Sequence, residues 1–90
     1  MKSVIVTGGA GFIGANYLHT LFADENFSGK ILNIDKLTYA GNLDSLQDLE
    51  SKYGNSRYFF VRADICDAEK MKEVINQFKP DTIVHFGAES

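Results

Sequence analysis

Two features of the sequence could do chemistry together: the glycine run Gly8-Gly9-Ala10-Gly11-Phe12-Ile13-Gly14 and a carboxylate, Asp35, about 20 residues after its last glycine. The run reads as G-x-G-x-x-G from Gly9 and as G-x-x-G-x-x-G from Gly8, and both readings end on Gly14. Early glycines in such a turn take backbone angles that a Cβ forbids. Gly11 would let a pyrophosphate approach the main chain, and Gly14 would let the following helix pack close to a sheet. Amide N–H groups opening that helix then bind the anion, aided by the helix dipole, so no lysine is required. No Gly-Lys-Ser or Gly-Lys-Thr closes the turn, which excludes a Walker A loop. The spacing to Asp35 is that of the dinucleotide fingerprint, in which the acid accepts hydrogen bonds from the adenosine ribose. NAD is the expected cofactor, because the charge of Asp35 opposes a 2′-phosphate; Lys36 beside it is a cation that could meet one, which keeps NADP as the alternative.

A bare glycine pattern also occurs wherever a strand-to-helix turn is merely tight, so the elements around it decide. Ser3 to Thr7 is apolar almost without a break, as a strand covered on both faces should be. A helix is expected from near Gly11, with Ile13, Tyr17, Leu18, Leu21 and Phe22 inward and Asn16, His19 and Thr20 outward, stopping at Asp24 to Gly29. Lys30 to Asp35 reads as the second strand, and a loop from Lys36 to Asn42 follows. Asn42 can cap a second helix, with Leu43, Leu46 and Leu49 on one side, that runs to about Lys52 before Gly54-Asn55. Arg57 to Arg62 is the third strand. Asp67 caps a third helix whose inner face is Met71, Val74, Ile75 and Phe78 and whose end Pro80 marks; Thr82 to Phe86 is the fourth strand. The order β-α-β-α-β-α-β with right-handed crossovers predicts an α/β fold, the N-terminal part of a Rossmann doubly wound parallel sheet, with strand order 3-2-1-4. The first two helices then share one face and the third covers the other alone.

Further candidates lie where the third and fourth strands end. Asp64 could accept from an adenine amino group and Ile65 offer a main-chain N–H, or Asp64 could simply cap the loop from Ala63 to Asp67. Gly87 and Ala88 are small enough for a ribose and phosphate to pass, or form an ordinary turn. His85 reads as a satisfied core imidazole, His19 as an exposed helix residue and Cys66 as a buried thiol with no activating cation. Tyr58, Phe59 and Phe60 fit strand packing rather than base stacking, because no basic groove accompanies them.

The 90 residues, 44% hydrophobic and 23% charged, suit one small folded domain. A formal net charge of -3 gives no diffuse basic field for nucleic acid or an anionic membrane. The single cysteine forms no internal disulfide or metal-ligand set, and no targeting or membrane segment is apparent, so the expected location is cytoplasmic. A doubly wound domain continues to further strands, so residues 1–90 are expected to be the N-terminal part of an NAD-binding Rossmann domain in a longer protein.

Three stretches together resemble one family. They are Thr7 to Gly14, the loop Asp35-Lys36-Leu37-Thr38-Tyr39-Ala40-Gly41-Asn42, and His85-Phe86-Gly87-Ala88-Glu89-Ser90. The first resembles extended short-chain dehydrogenase/reductases generally. The second, followed by Leu43, is similar to the dTDP-glucose 4,6-dehydratases. That resemblance implies a lyase in which NAD+ takes a hydride from C4 of the glucose, water is eliminated across C5 and C6, and the hydride returns to C6. It also implies site residues: Phe12 and Ile13 at the pyrophosphate, Asp35, Lys36, Leu37 and Thr38 at the adenosine ribose, Asp64 and Ile65 at the adenine, and Phe86, Gly87, Ala88 and Glu89 at the ribose and phosphates. Ser90 would reach toward the sugar nucleotide, dTDP-glucose, and the full-length protein would be a homodimer. Gly87 replaces the first of the family's two alanines before Glu89, which loosens that loop slightly. The family's Tyr-x-x-x-Lys pair is not here: Tyr17 is followed at the fourth place by Leu21 and Tyr53 by Arg57. No catalytic residue is therefore expected within these residues. A sugar-nucleotide 4-epimerase of the same superfamily and a non-catalytic NAD-sensing Rossmann module are the competing readings.

Overall fold

A computed structural model of the chain describes residues 1–8, 12–36, 43–54 and 56–86. Along them run β1 (Ser3–Thr7), α1 (Phe12–Ala23), β2 (Lys30–Asp35), α2 (Leu43–Tyr53), β3 (Tyr58–Arg62), α3 (Ala68–Phe78) and β4 (Thr82–His85). The four strands pair in parallel in the order β3-β2-β1-β4, the Rossmann arrangement expected from the alternation of elements.

Strand alternation splits the apolar residues between two faces. Val4, Val6, Ile31 and Tyr58 pack against Ala15, Leu18, Leu21 and Phe22 of α1 and Leu46 and Leu49 of α2. Ile5, Leu32 and Ile34 pack against Val74 of α3, with Phe59, Met71 and Phe78 at the margin. Each fully buried aliphatic side chain here contributes roughly 1.5–3 kcal/mol, which fixes the register of β1 against β2. Asn33 is a fully buried polar side chain; its Nδ2 donates to the Tyr58 hydroxyl at 3.2 Å. Burial pushes the Tyr58 phenol above its ordinary pKa, with the Asn33 bond opposing the shift.

The inner faces differ from expectation at two isoleucines. Ile13 is 68% exposed and Ala15 takes its place inside, because Ile13 lies five residues before Leu18, about 140° around the helix from the buried stripe. Ile75 is 39% exposed. It follows Val74, the one buried residue of α3, by about 100° and so falls on the rim of a helix that covers its face alone.

Element ends follow local hydrogen bonding. Asp67 caps α3 by accepting from the Lys70 N–H at 3.2 Å. At the other end Pro80 bars Lys79 from right-handed helix, and Lys79 turns left-handed (φ 54°) with its N–H on the Ile75 carbonyl at 2.8 Å. Arg57, expected in the third strand, precedes β3: its N–H bonds the Tyr53 carbonyl and closes the exit from α2. β4 stops at His85, although the Phe86 N–H still bonds the Thr7 carbonyl at 2.8 Å. Among the described residues β4 pairs with β1 only, and Ile83 on it is 55% exposed.

The amino edge of the sheet is tied together. The Arg57 guanidinium donates to the carbonyls of Gly29 (2.8 Å) and Phe27 (2.9 Å) and lies 5.1–5.5 Å from the rings of Phe22, Tyr53 and Phe27. Asp81 accepts from the Lys2 N–H at 2.8 Å and the Ser3 N–H at 3.4 Å, which anchors the start of β1. Gly29 sits so close to Lys2 that a Cβ would come within 2.5 Å of its carbonyl oxygen.

Candidate functional site

The expected site residues that the structure describes gather at the carboxyl edge of the sheet, where successive strands end. Gly8 follows β1 in left-handed conformation (φ 77°), the geometry for which glycine was expected. Its N–H is held by the Ile34 carbonyl at 2.8 Å, so the Gly8 amide is engaged within the fold. α1 starts at Phe12; Ile13 in its first turn is exposed, and Gly14 is buried, as close packing of the helix requires. Gly11, with Gly9 and Ala10, lies outside the described residues.

Asp35 ends β2 with only 5% exposure, and its carbonyl accepts from the Ala63 N–H at 3.2 Å, which joins the ends of β2 and β3. Lys36 is exposed, with its ammonium 3.7 Å from the Asp64 carboxylate, and its carbonyl accepts from Arg62 Nε at 3.3 Å. Leu37, Thr38 and the rest of the loop to Asn42 lie outside the described residues.

Asp64 does the capping that its simpler reading required: Oδ1 accepts from the Cys66 N–H at 2.9 Å, and its carbonyl accepts from the Asp67 N–H. That amide bond, reinforced by the Lys36 charge, holds the Asp64 carboxyl below its ordinary pKa. Ile65 is exposed in the same turn. The Phe86 ring packs on Tyr17, with centroids 5.4 Å apart, so Phe86 presents main chain rather than ring to the edge. Gly87, Ala88, Glu89 and Ser90 lie outside the described residues.

Two expectations about reactive side chains change. Cys66 is exposed rather than buried, because it sits in the turn after β3 that Asp64 caps. His85 is exposed rather than in the core, on the same face of β4 as the exposed Ile83; its imidazole is nonetheless satisfied, through Nδ1 and the Thr7 hydroxyl. Sequence reasoning missed that contact and Arg62. The strand order was the available signal, since it sets Thr7 opposite His85 and Asp35 opposite Arg62. Among the described residues no helix is long and apolar enough to cross a membrane, and no three His, Cys, Asp or Glu side chains group as metal ligands.

A model of the family described as GDP-mannose 4,6 dehydratase matches residues 5–90. The chain belongs to that family. Within this dehydratase family it is 45% identical over 89 residues to a dTDP-glucose 4,6-dehydratase of Neisseria gonorrhoeae, a match covering 99% of the chain and 24% of the relative. A solved dTDP-glucose 4,6-dehydratase from Bacillus anthracis, in complex with NAD, superposes with a TM-score of 0.86 at 37% identity over 99% of the chain and 27% of that structure. A UDP-glucose-4-epimerase from Stenotrophomonas maltophila with bound NAD gives 0.79 at 26% identity over 100% of the chain and 25% of that structure. The resemblance to dTDP-glucose 4,6-dehydratases carried by the three motifs is thus borne out. The chain spans about a quarter of the length of the curated relatives it matches.

Proposed function

We propose that residues 1–90 are the N-terminal part of the NAD-binding Rossmann domain of a dTDP-glucose 4,6-dehydratase, and that the carboxyl edge of this sheet holds the cofactor. The observation that carries the reading is the pairing of a left-handed Gly8 turn, entering a helix whose Gly14 is buried, with a near-buried carboxylate, Asp35, at the end of the adjacent strand. These features fit a dinucleotide: a diphosphate would sit at the start of α1, and Asp35 can accept from two ribose hydroxyls. The main chain at Phe12 and Ile13, with Gly11, would hold the pyrophosphate. Asp35, Lys36, Leu37 and Thr38 would line the ribose, Asp64 and Ile65 the adenine, and Phe86, Gly87, Ala88 and Glu89 the path of the remaining ribose and phosphates.

NAD, when bound, supplies an acceptor and return donor for a hydride. The chain's own part is to bind and orient: amides neutralise the diphosphate, and Asp35 sets the position of the nucleoside. Ser90 would reach the nucleotide sugar. The proton-transfer groups are assigned to residues beyond these 90, because neither Tyr17 nor Tyr53 is followed at the fourth place by a lysine. Among the described residues one side of β4 has no strand partner, which, with the exposed Ile83, supports a sheet that continues into further strands. A cytoplasmic homodimer acting on dTDP-glucose completes the proposal.

The test is incubation of the full-length protein with dTDP-glucose. The proposal expects an alkali-absorbing 4-keto-6-deoxy sugar, formed without added cofactor or with catalytic NAD. Epimerisation at C4 without loss of water would favour the epimerase reading, and NAD binding with no turnover the sensor.

A further inference from the structure

A cation directly after the ribose-reading acid is the residue type that would meet a 2′-phosphate, and Lys36 occupies that place. In the fold it is already engaged. Its ammonium lies 3.7 Å from Asp64 Oδ2, across the gap between the ends of β2 and β3. Asp64 is fixed for that contact, because its other oxygen, Oδ1, accepts from the Cys66 N–H at 2.9 Å. The second cation at this edge, Arg62, is turned onto the Lys36 carbonyl at 3.3 Å. Among the described residues at the ends of β2 and β3, the four charged side chains Asp35, Lys36, Arg62 and Asp64 sum to zero, so a phosphate group of nearly two negative charges gains no net attraction from them.

We propose that Asp64 is a specificity-determining positioning residue: by holding Lys36 it denies a 2′-phosphate its cation and keeps the site selective for the dinucleotide without that phosphate. This rests on the NAD-binding reading above and adds to it a residue that, beside Asp35, contributes to the choice between the two cofactors. The pair's side chains are about half exposed (51% and 46%), so water and salt screen it. An exposed pair of this kind is worth about a two- to fivefold change in an equilibrium constant, and the effect should grow as ionic strength falls.

The experiment measures dissociation constants of NAD and NADP for the full-length protein and for Asp64→Asn, which keeps an oxygen to accept from the Cys66 amide. Any contact between Asp64 and the adenine is common to both cofactors and cancels in the ratio. The expected result is a shift of about two- to fivefold toward NADP. Adding Lys36→Met to Asp64→Asn should abolish that shift, a dependence that a merely structural role for Asp64 would not produce. An unchanged ratio in Asp64→Asn, or a shift that survives the loss of Lys36, would overturn the inference while leaving NAD binding in place. Failure of the unsubstituted protein to bind either cofactor would overturn the underlying reading and this inference with it.

Discussion

The two edges of the sheet are built from the same strands yet use their polar groups differently. At the amino edge the charged side chains are spent on the chain itself: Arg57 clamps two carbonyls and three rings, and Asp81 ties down the first residues of β1. At the carboxyl edge the described groups shape a surface instead, with a left-handed turn at Gly8, a carboxylate at Asp35 and an ion pair across β2 and β3. In a parallel sheet every strand ends on the same side, so one edge can be closed for stability while the other collects loops for a ligand. Charge near a strand end is therefore informative only once its partner is known.

The sharpest way to break this contrast is to open the amino edge. Arg57→Ala should lower unfolding free energy by about 2–3 kcal/mol, through lost carbonyl bonds and ring contacts, with little change in cofactor affinity of the folded fraction. Denaturant titration and calorimetry together check it. Arg57→Lys should recover less than half, because an ammonium lacks the fork that reaches both carbonyls. At the other edge, Asp35→Ala should weaken NAD binding by about 2 kcal/mol, roughly 30-fold, as read by calorimetric titration, with a smaller effect on stability.

Two neighbours on α3 sharpen the account of the covered face. Val74→Ala should cost about 1–2 kcal/mol by leaving a cavity under the helix, whereas Ile75→Ala should stay within about 0.5 kcal/mol, as thermal unfolding would show. The smallest expected effect is on acid stability. Asp81 and Asp64 titrate below the usual range in the folded chain, Asp81 chiefly through the Lys2 amide and Asp64 through the Cys66 amide. The native state therefore binds fewer protons there than the unfolded chain. Their stabilisation is complete above the ordinary aspartate pKa of about 3.9 and is lost as the pH falls through the lowered native values. Unfolding followed against pH should show that slope reduced in an Asp81→Asn variant.

Much of this was legible in the residues. Alternation of β-branched runs with helical spacing predicted every element and the strand order, because each apolar face must be covered. What escaped depends on neighbours distant in the chain. Periodicity shows that α1 and α3 have inner faces but not where each face is centred, and so it places Ile13 and Ile75 inside. Arg57 looked like a strand residue because its ring partners, Phe22, Phe27 and Tyr53, converge only after folding. Cys66 and His85 look buried from their apolar neighbours, although the turn after β3 exposes the first and the second lies on an exposed face of β4. At the candidate site the Gly8 turn, the buried Gly14 and Asp35 could be read directly, since backbone angle and strand-end position follow from local order. The Lys36–Asp64 pair could not, because it required β2 and β3 to be adjacent.

The most direct test is amide hydrogen exchange on the full-length protein with and without NAD. New protection should be concentrated at residues 12–14, 35–36 and 64–66, with residues 28–30 and 56–57 unchanged. Protection confined to the amino edge, or none at the start of α1 and the end of β2, would contradict the assignment of the carboxyl edge as the cofactor site.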